Sequence, residues 1–178
     1  GAGNDTVFGF AGADNVDGED GDDWVDAGDG DDAVTGSAGN DTLFGGAGND
    51  ALTGNLGRDR LFGEAGSDTI SGNEEADTLD GGSGADLIYG GLGDDEILGG
   101  GGAGDQLFGE AGDDVIRGSN DGADLIDGGA GDDRLYGMGG NDTIIGGFGM
   151  DEIDGGAGDD TIEGGAGADT VIGGANHD

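Results

Sequence analysis

Aspartate recurs at every ninth residue of this chain, and that spacing constrains its fold more than any other feature. It stands at Asp5, Asp14, Asp23, Asp32, Asp41, Asp50, Asp59, Asp68, Asp77, Asp86 and Asp95. One extra residue moves the register to Asp105 and Asp114, and a second moves it to Asp124, Asp133, Asp142, Asp151, Asp160, Asp169 and Asp178. Two residues after each Asp, from Val7 through Leu43 and Ile88 to Val171, comes Val, Leu or Ile without exception. Two residues before it is almost always Gly. The unit reads G-G-x-G-x-D-x-U-x, with U aliphatic, and is complete at 45–53, 81–89, 90–98, 128–136, 146–154, 155–163 and 164–172. Its positions are numbered one to nine below, so that Asp is six and the aliphatic is eight.

Self-similarity at so short a period is the mark of a solenoid. The first six positions, rich in Gly and Asx, suit positive φ and tight turns. The last three, such as Thr42-Leu43-Phe44, are too short for a helix and suit a brief strand with its middle residue inward. One inward residue per unit makes no core alone. Two units per coil set two strands face to face, and stacked coils line the aliphatics into ladders. The expected fold is all-β, a parallel β-roll or two-sheet β-solenoid with two nonapeptides per coil. Roughly ten coils would span ~47 Å at the strand spacing. It forms a single domain over 1–178, with 18 full units, a partial unit at each end and one-residue insertions in 99–108 and 118–127. A Gly-rich disordered tract is the alternative that composition alone favours, but drift would not keep position eight aliphatic throughout.

Composition closes several classes. There is no Cys, hence no disulfide scaffold and no thiolate metal site. The absence of Pro excludes collagen, despite 50 Gly in 178 residues. Against 42 Asp and Glu stand 4 basic residues, all Arg, a net charge of -38. That argues against binding nucleic acid or anionic membrane, and no apolar run is long enough to span a bilayer. Stacking coils would set each Asp over the Asp two units on, at about one strand spacing, and these charges repel. Burying one aliphatic per unit does not offset the ordering of so Gly-rich a backbone. The missing partner is a cation. With only one His, His177, zinc, copper and iron sites of the usual kind are disfavoured. Carboxylates and turn carbonyls on a flexible loop suit Ca²⁺, which takes 6–8 oxygens, better than octahedral Mg²⁺. Ions bridging units i and i+2 would number at most about 18, and about 12–18 are expected. All nineteen Asp from Asp5 to Asp169 are candidate ligands.

These residues resemble the RTX (repeats-in-toxin, hemolysin-type) calcium-binding nonapeptide array along essentially the whole chain. The resemblance implies a right-handed β-roll with Ca²⁺ along both turn edges, held by the Asp carboxylate and the carbonyls of positions two and four. In matching units these carbonyls belong to Gly46 and Gly48, Gly82 and Gly84, Gly91 and Gly93, Gly129 and Gly131, Gly147 and Gly149, Gly156 and Gly158, and Gly165 and Gly167. It also implies a secreted bacterial protein exported unfolded by a type I system, extracellular or on the cell surface. Departures are Glu75 at position four, which needs a strained turn or another ligand set, and the two ten-residue units, whose turns should bulge. Phe10, Glu19, Ser37, Asn55, Glu64, Asn73, Glu110 and Met138 stand at position two, where a carbonyl remains available.

No lysine, G-x-S-x-G elbow or H-E-x-x-H is present, so no catalytic centre is expected. His177 reads as a solvated end residue. Acidic pairs such as Asp22-Asp23, Asp31-Asp32 and Asp132-Asp133 recur with the repeat, which favours ligation and solvation over acid–base catalysis. The outward position nine is more apolar in alternate units (Phe8, Phe44, Phe62, Leu98, Tyr136), which fits either a docking face or ordinary strand propensity. The leading function is a non-catalytic calcium-binding module acting as a rigid spacer or folding switch. Alternatives are sheet-surface polysaccharide or adhesin-type binding, or the C-terminal repeat segment of a secreted lipase, protease or epimerase. The chain begins and stops within a unit, so flanking domains or further repeats of a longer chain are expected, with end-to-end self-association a further possibility.

Overall fold

The computed structural model describes residues 1–102 and 104–176, and His177 and Asp178 lie outside the described residues. The chain is an all-β solenoid of nineteen strands, with no helix among the described residues. Successive strands alternate between two parallel sheets. One has ten strands, beginning at Thr6–Phe8 and Trp24–Asp29 and ending at Thr170–Ile172. The other has nine, from Asn15–Asp20 to Thr161–Ala166. Each coil therefore holds two units, giving nine coils and one further strand against the roughly ten expected.

The period-2 alternation of a strand explains which side chains turn inward. Positions six, eight and one face the interior, while seven and nine face out. The position-eight ladder is fully buried from Val25 through Leu43, Leu79 and Ile116 to Ile153, and Val7, Val16 and Ile162 close its ends partly buried. Strand pairing holds like position to like. Leu43 lies beside Val25 and Leu61, eighteen residues away on either side. Across the insertions the offset becomes nineteen, as for Ile88 with Leu107 and Ile126 with Leu107, and then returns to eighteen for Ile126 with Ile144. The extra residues are thus absorbed in turns, and the core never loses register.

Most strands are longer than the three residues expected. Thr42–Ala47 and Leu87–Leu92 run on through positions one to three of the next unit. Position-two and position-three residues still pair across coils, as Gly28 with Gly46 and Asp29 with Ala47, although position two has positive φ. The chain bends there without leaving the ladder, and the turn proper shrinks to positions four to six. The three-residue form survives in Thr78–Asp80 and the later strands of the ten-stranded sheet.

The ladder also imposes its backbone on residues that resist it. Glu75 sits at φ 73°, the strained conformation expected, and the eight non-glycine residues at position two lie between 72° and 85°. On the outer face of the ten-stranded sheet, Trp24 from position seven joins Phe8, Phe44 and Phe62 in a row with centroids 5.2, 5.5 and 4.9 Å apart. Phe44 and Phe62 stack within 11° of parallel, and Arg60 Cζ lies over the Phe62 ring, 5.6 Å from its centroid. Cross-strand pairing of this kind accounts for the aromatic row.

Two substitutions test this architecture in calcium-containing buffer. Leu79→Ala, between Leu61 and Ile97 in the buried ladder, should lower stability to denaturant by ~2–5 kcal/mol. Glu75→Gly should raise it by up to about 1 kcal/mol by relieving the positive φ.

Candidate metal-binding turns

Because units alternate between sheets, their turns form two edges. Asp5, Asp23, Asp41, Asp59, Asp77, Asp95, Asp114, Asp133, Asp151 and Asp169 stack along one. Asp14, Asp32, Asp50, Asp68, Asp86, Asp105, Asp124, Asp142 and Asp160 stack along the other. From Asp23 to Asp160 each is no more than 8% exposed, while Asp5, Asp14 and Asp169 at the ends are half-buried.

The two oxygens of each carboxylate meet different fates. Oδ1 accepts the backbone N–H of the Asp one coil earlier, as Asp41 N–H donates to Asp59 Oδ1 and Asp59 N–H to Asp77 Oδ1, both at 2.7 Å. Oδ2 turns into its own turn and in most of them finds nothing. Sixteen of these oxygens, from Asp14 Oδ2 to Asp160 Oδ2, are buried without a hydrogen-bond partner. A buried carboxylate oxygen left unpaired is costly, and here the cost recurs at every coil. At the half-exposed Asp5, the α-ammonium of Gly1 lies 3.1 Å from Oδ2.

Position-one glycine, which sequence reasoning passed over, makes room for this oxygen. It does not have positive φ. Yet a Cβ added to Gly45 would fall 2.5 Å from Asp50 Oδ2 and 3.0 Å from its Cγ, and the same holds along both edges. Position one is Gly in every unit except for Ala27, a constancy that could have revealed the role. The carbonyls that the family resemblance implies also differ from each other. Those at position two accept N–H groups from the next coil, as Phe10 O from Asp29 N–H (2.7 Å) and Glu64 O from Ser83 N–H (2.7 Å). Among the described residues no backbone N–H donates to a position-four carbonyl such as Gly30, Gly48, Gly84 or Gly131. No three acidic or His side chains converge on one point among the described residues. A cation here would therefore be held by single carboxylates together with carbonyls, an all-oxygen set suited to a hard ion.

A second Asx row, at position five, was also missed. These side chains point the other way along the stack. Asn4 Oδ1 accepts Asp22 N–H (3.1 Å), Asp22 Oδ1 accepts Asn40 N–H (2.9 Å), and Asn40 Oδ1 accepts Arg58 N–H (2.9 Å). The Asn40 N–H holds the exposed Asp22 carboxyl below its ordinary range. The inner row moves oppositely. Burial raises Asp59, Asp68, Asp95, Asp105 and Asp142 to about 6, and Asp77, Asp114 and Asp133 to about 7. In each, the N–H from the preceding Asp works against burial and neighbouring carboxylates add to it.

The sign of the resulting pH dependence follows. Unfolded, these carboxyls titrate near 4, so the metal-free fold binds more protons than the unfolded chain between about 4 and about 7. Its stability is greatest at the acid end and falls as pH rises through 6 and 7. Calcium-free protein should gain β structure by circular dichroism when pH is lowered from 8 to 4.5. Asp77→Asn should strengthen the calcium-free fold at pH 8 and reduce the number of ions bound, two effects of opposite sign from one charge.

Comparison with known proteins identifies this array. The family model described as RTX calcium-binding nonapeptide repeat (4 copies) matches residues 1–25, 26–61, 35–70, 44–79, 71–104, 99–121, 119–153 and 145–178. No curated protein matches the chain. With matches spanning it from end to end, and a β-roll lined by buried, unpartnered Asp oxygens, the chain belongs to the RTX calcium-binding nonapeptide repeat family.

Proposed function

We propose that this module folds by binding many calcium ions, about 12–18, between stacked turns, and then serves as a rigid spacer within a secreted bacterial protein. The observation that carries this reading is the row of buried Asp Oδ2 atoms with no partner in the protein. Each ion would be held by an Asp carboxylate of one turn and carbonyls of positions two and four. Position four is the freer of these. Binding to the folded state alone converts ion affinity into folding free energy. Where calcium is scarce, the charge of -38 keeps the chain apart. Where it is plentiful, as outside the cell, dications replace the missing positive charge and the coils close. The switch would act on export, with the whole of 1–178 responding as one domain.

Trp24 reports this transition, because its ring lies between Phe8 and Phe44 only when the coils are stacked. Titration with Ca²⁺ should give one cooperative coil-to-β change, seen alike by circular dichroism and Trp24 fluorescence. Mg²⁺ at equal concentration should not produce it. β structure that persists at pH 8 in chelator would overturn the folding switch while leaving calcium binding in place.

A further inference from the structure

Asp124 stands apart from the other buried members of its row. It is 2% exposed, yet its Oδ2 is not among the unpartnered oxygens. The reason is Ser119, in the second ten-residue unit. Ser119 N–H donates to Asp124 Oδ2 at 2.7 Å, and Ser119 Oγ lies 3.0 Å from the same oxygen. Ser119 Oγ is also 3.2 Å from the carbonyl of Gly102. Gly102 takes the place of position four in the turn directly beneath, since it stacks on Gly84, whose carbonyl a Cβ added to Gly102 would strike, and Asp105 N–H donates to Asp124 Oδ1 across the interval.

Besides accepting Asp121 N–H at 3.4 Å, the Ser119 hydroxyl therefore reaches a carboxylate oxygen and a position-four carbonyl of neighbouring turns. These are the groups left without backbone partners elsewhere. Ser119 itself is 1% exposed and is hydrogen-bonded to both. Its orientation comes from the inserted residue. Ser37, at position two of a nine-residue unit, has φ 85° and hands its hydroxyl outward to Asp17 Oδ1 at 2.9 Å. Ser119 is not among the residues at positive φ; in its turn Gly122 is. The first ten-residue unit behaves differently, keeping positive φ at Gly100 and Gly102 and leaving Asp105 Oδ2 unpartnered.

We propose that the interval between turns 99–105 and 118–124 is closed by Ser119 in place of a cation, leaving one ion-free rung on that edge. This rests on the reading of the Asp row as calcium ligands. Deleting Asn120 would restore Gly-Ser-Asp-Gly-Ala-Asp, a six-residue turn of regular length with Ser119 returned to position two.

Native mass spectrometry of the calcium-saturated protein counts the ions, with circular dichroism confirming that each variant folds. Asp124→Asn should keep the parent count, Asp142→Asn should lose at least one ion, and deletion of Asn120 should gain one. Loss of an ion in Asp124→Asn, or no gain on deletion of Asn120, overturns the ion-free rung. An unchanged count in both Asp124→Asn and Asp142→Asn instead removes the Asp row as ligands, and the rung falls with it.

Discussion

Everything in this molecule depends on like charges stacked at the spacing of a β-sheet. One Asp per unit is carried into the interior by the same alternation that buries the aliphatic two residues on. Each inner carboxylate can use one oxygen on the coil before it, because a single backbone N–H is presented there. The other oxygen is turned into a space lined by its own glycine and, in every buried member of the rows but Asp124, receives no proton donor. A sheet that repeats this arrangement accumulates unpaired charge in proportion to its length. Calcium, a hard dication with flexible coordination, answers that need.

The turn assigns the acidic residues two separate tasks. Position six points back along the stack and inward, where burial raises the affinity of acids such as Asp77 and Asp114 for protons. Position five points forward and outward, where N–H donors keep an acid such as Asp22 ionised. The outer row knits coils together through hydrogen bonds alone. The inner row is the one that calls for a counter-ion. Adjacent acids in a pair such as Asp22-Asp23 thus differ in role because they differ in direction.

The register of the strands explains why insertions are tolerated. Pairing of position eight with position eight is worth a buried aliphatic contact at every coil, whereas an added residue in an exposed turn costs little. Offsets of eighteen and nineteen therefore serve the core equally. What changes is the turn, and at Ser119 it changes enough to bring a hydroxyl and an N–H to a carboxylate that would otherwise stand alone.

The order of residues determined the class of fold, the one aliphatic buried per unit and the need for an oxygen-bound cation, because a strict nine-residue period leaves a stacked roll as the way to bury that aliphatic. Asp at position six and Val, Leu or Ile at position eight were legible for the same reason. Only the tertiary structure decided how far strands reach into the glycine half, since that depends on pairing between coils eighteen residues apart. The space beside position one, the outward Asx row and the closure at Ser119 were hidden likewise. Each is a relation between a side chain and a turn one coil away, or one bent by an inserted residue, and direction in space is not written in a one-dimensional repeat.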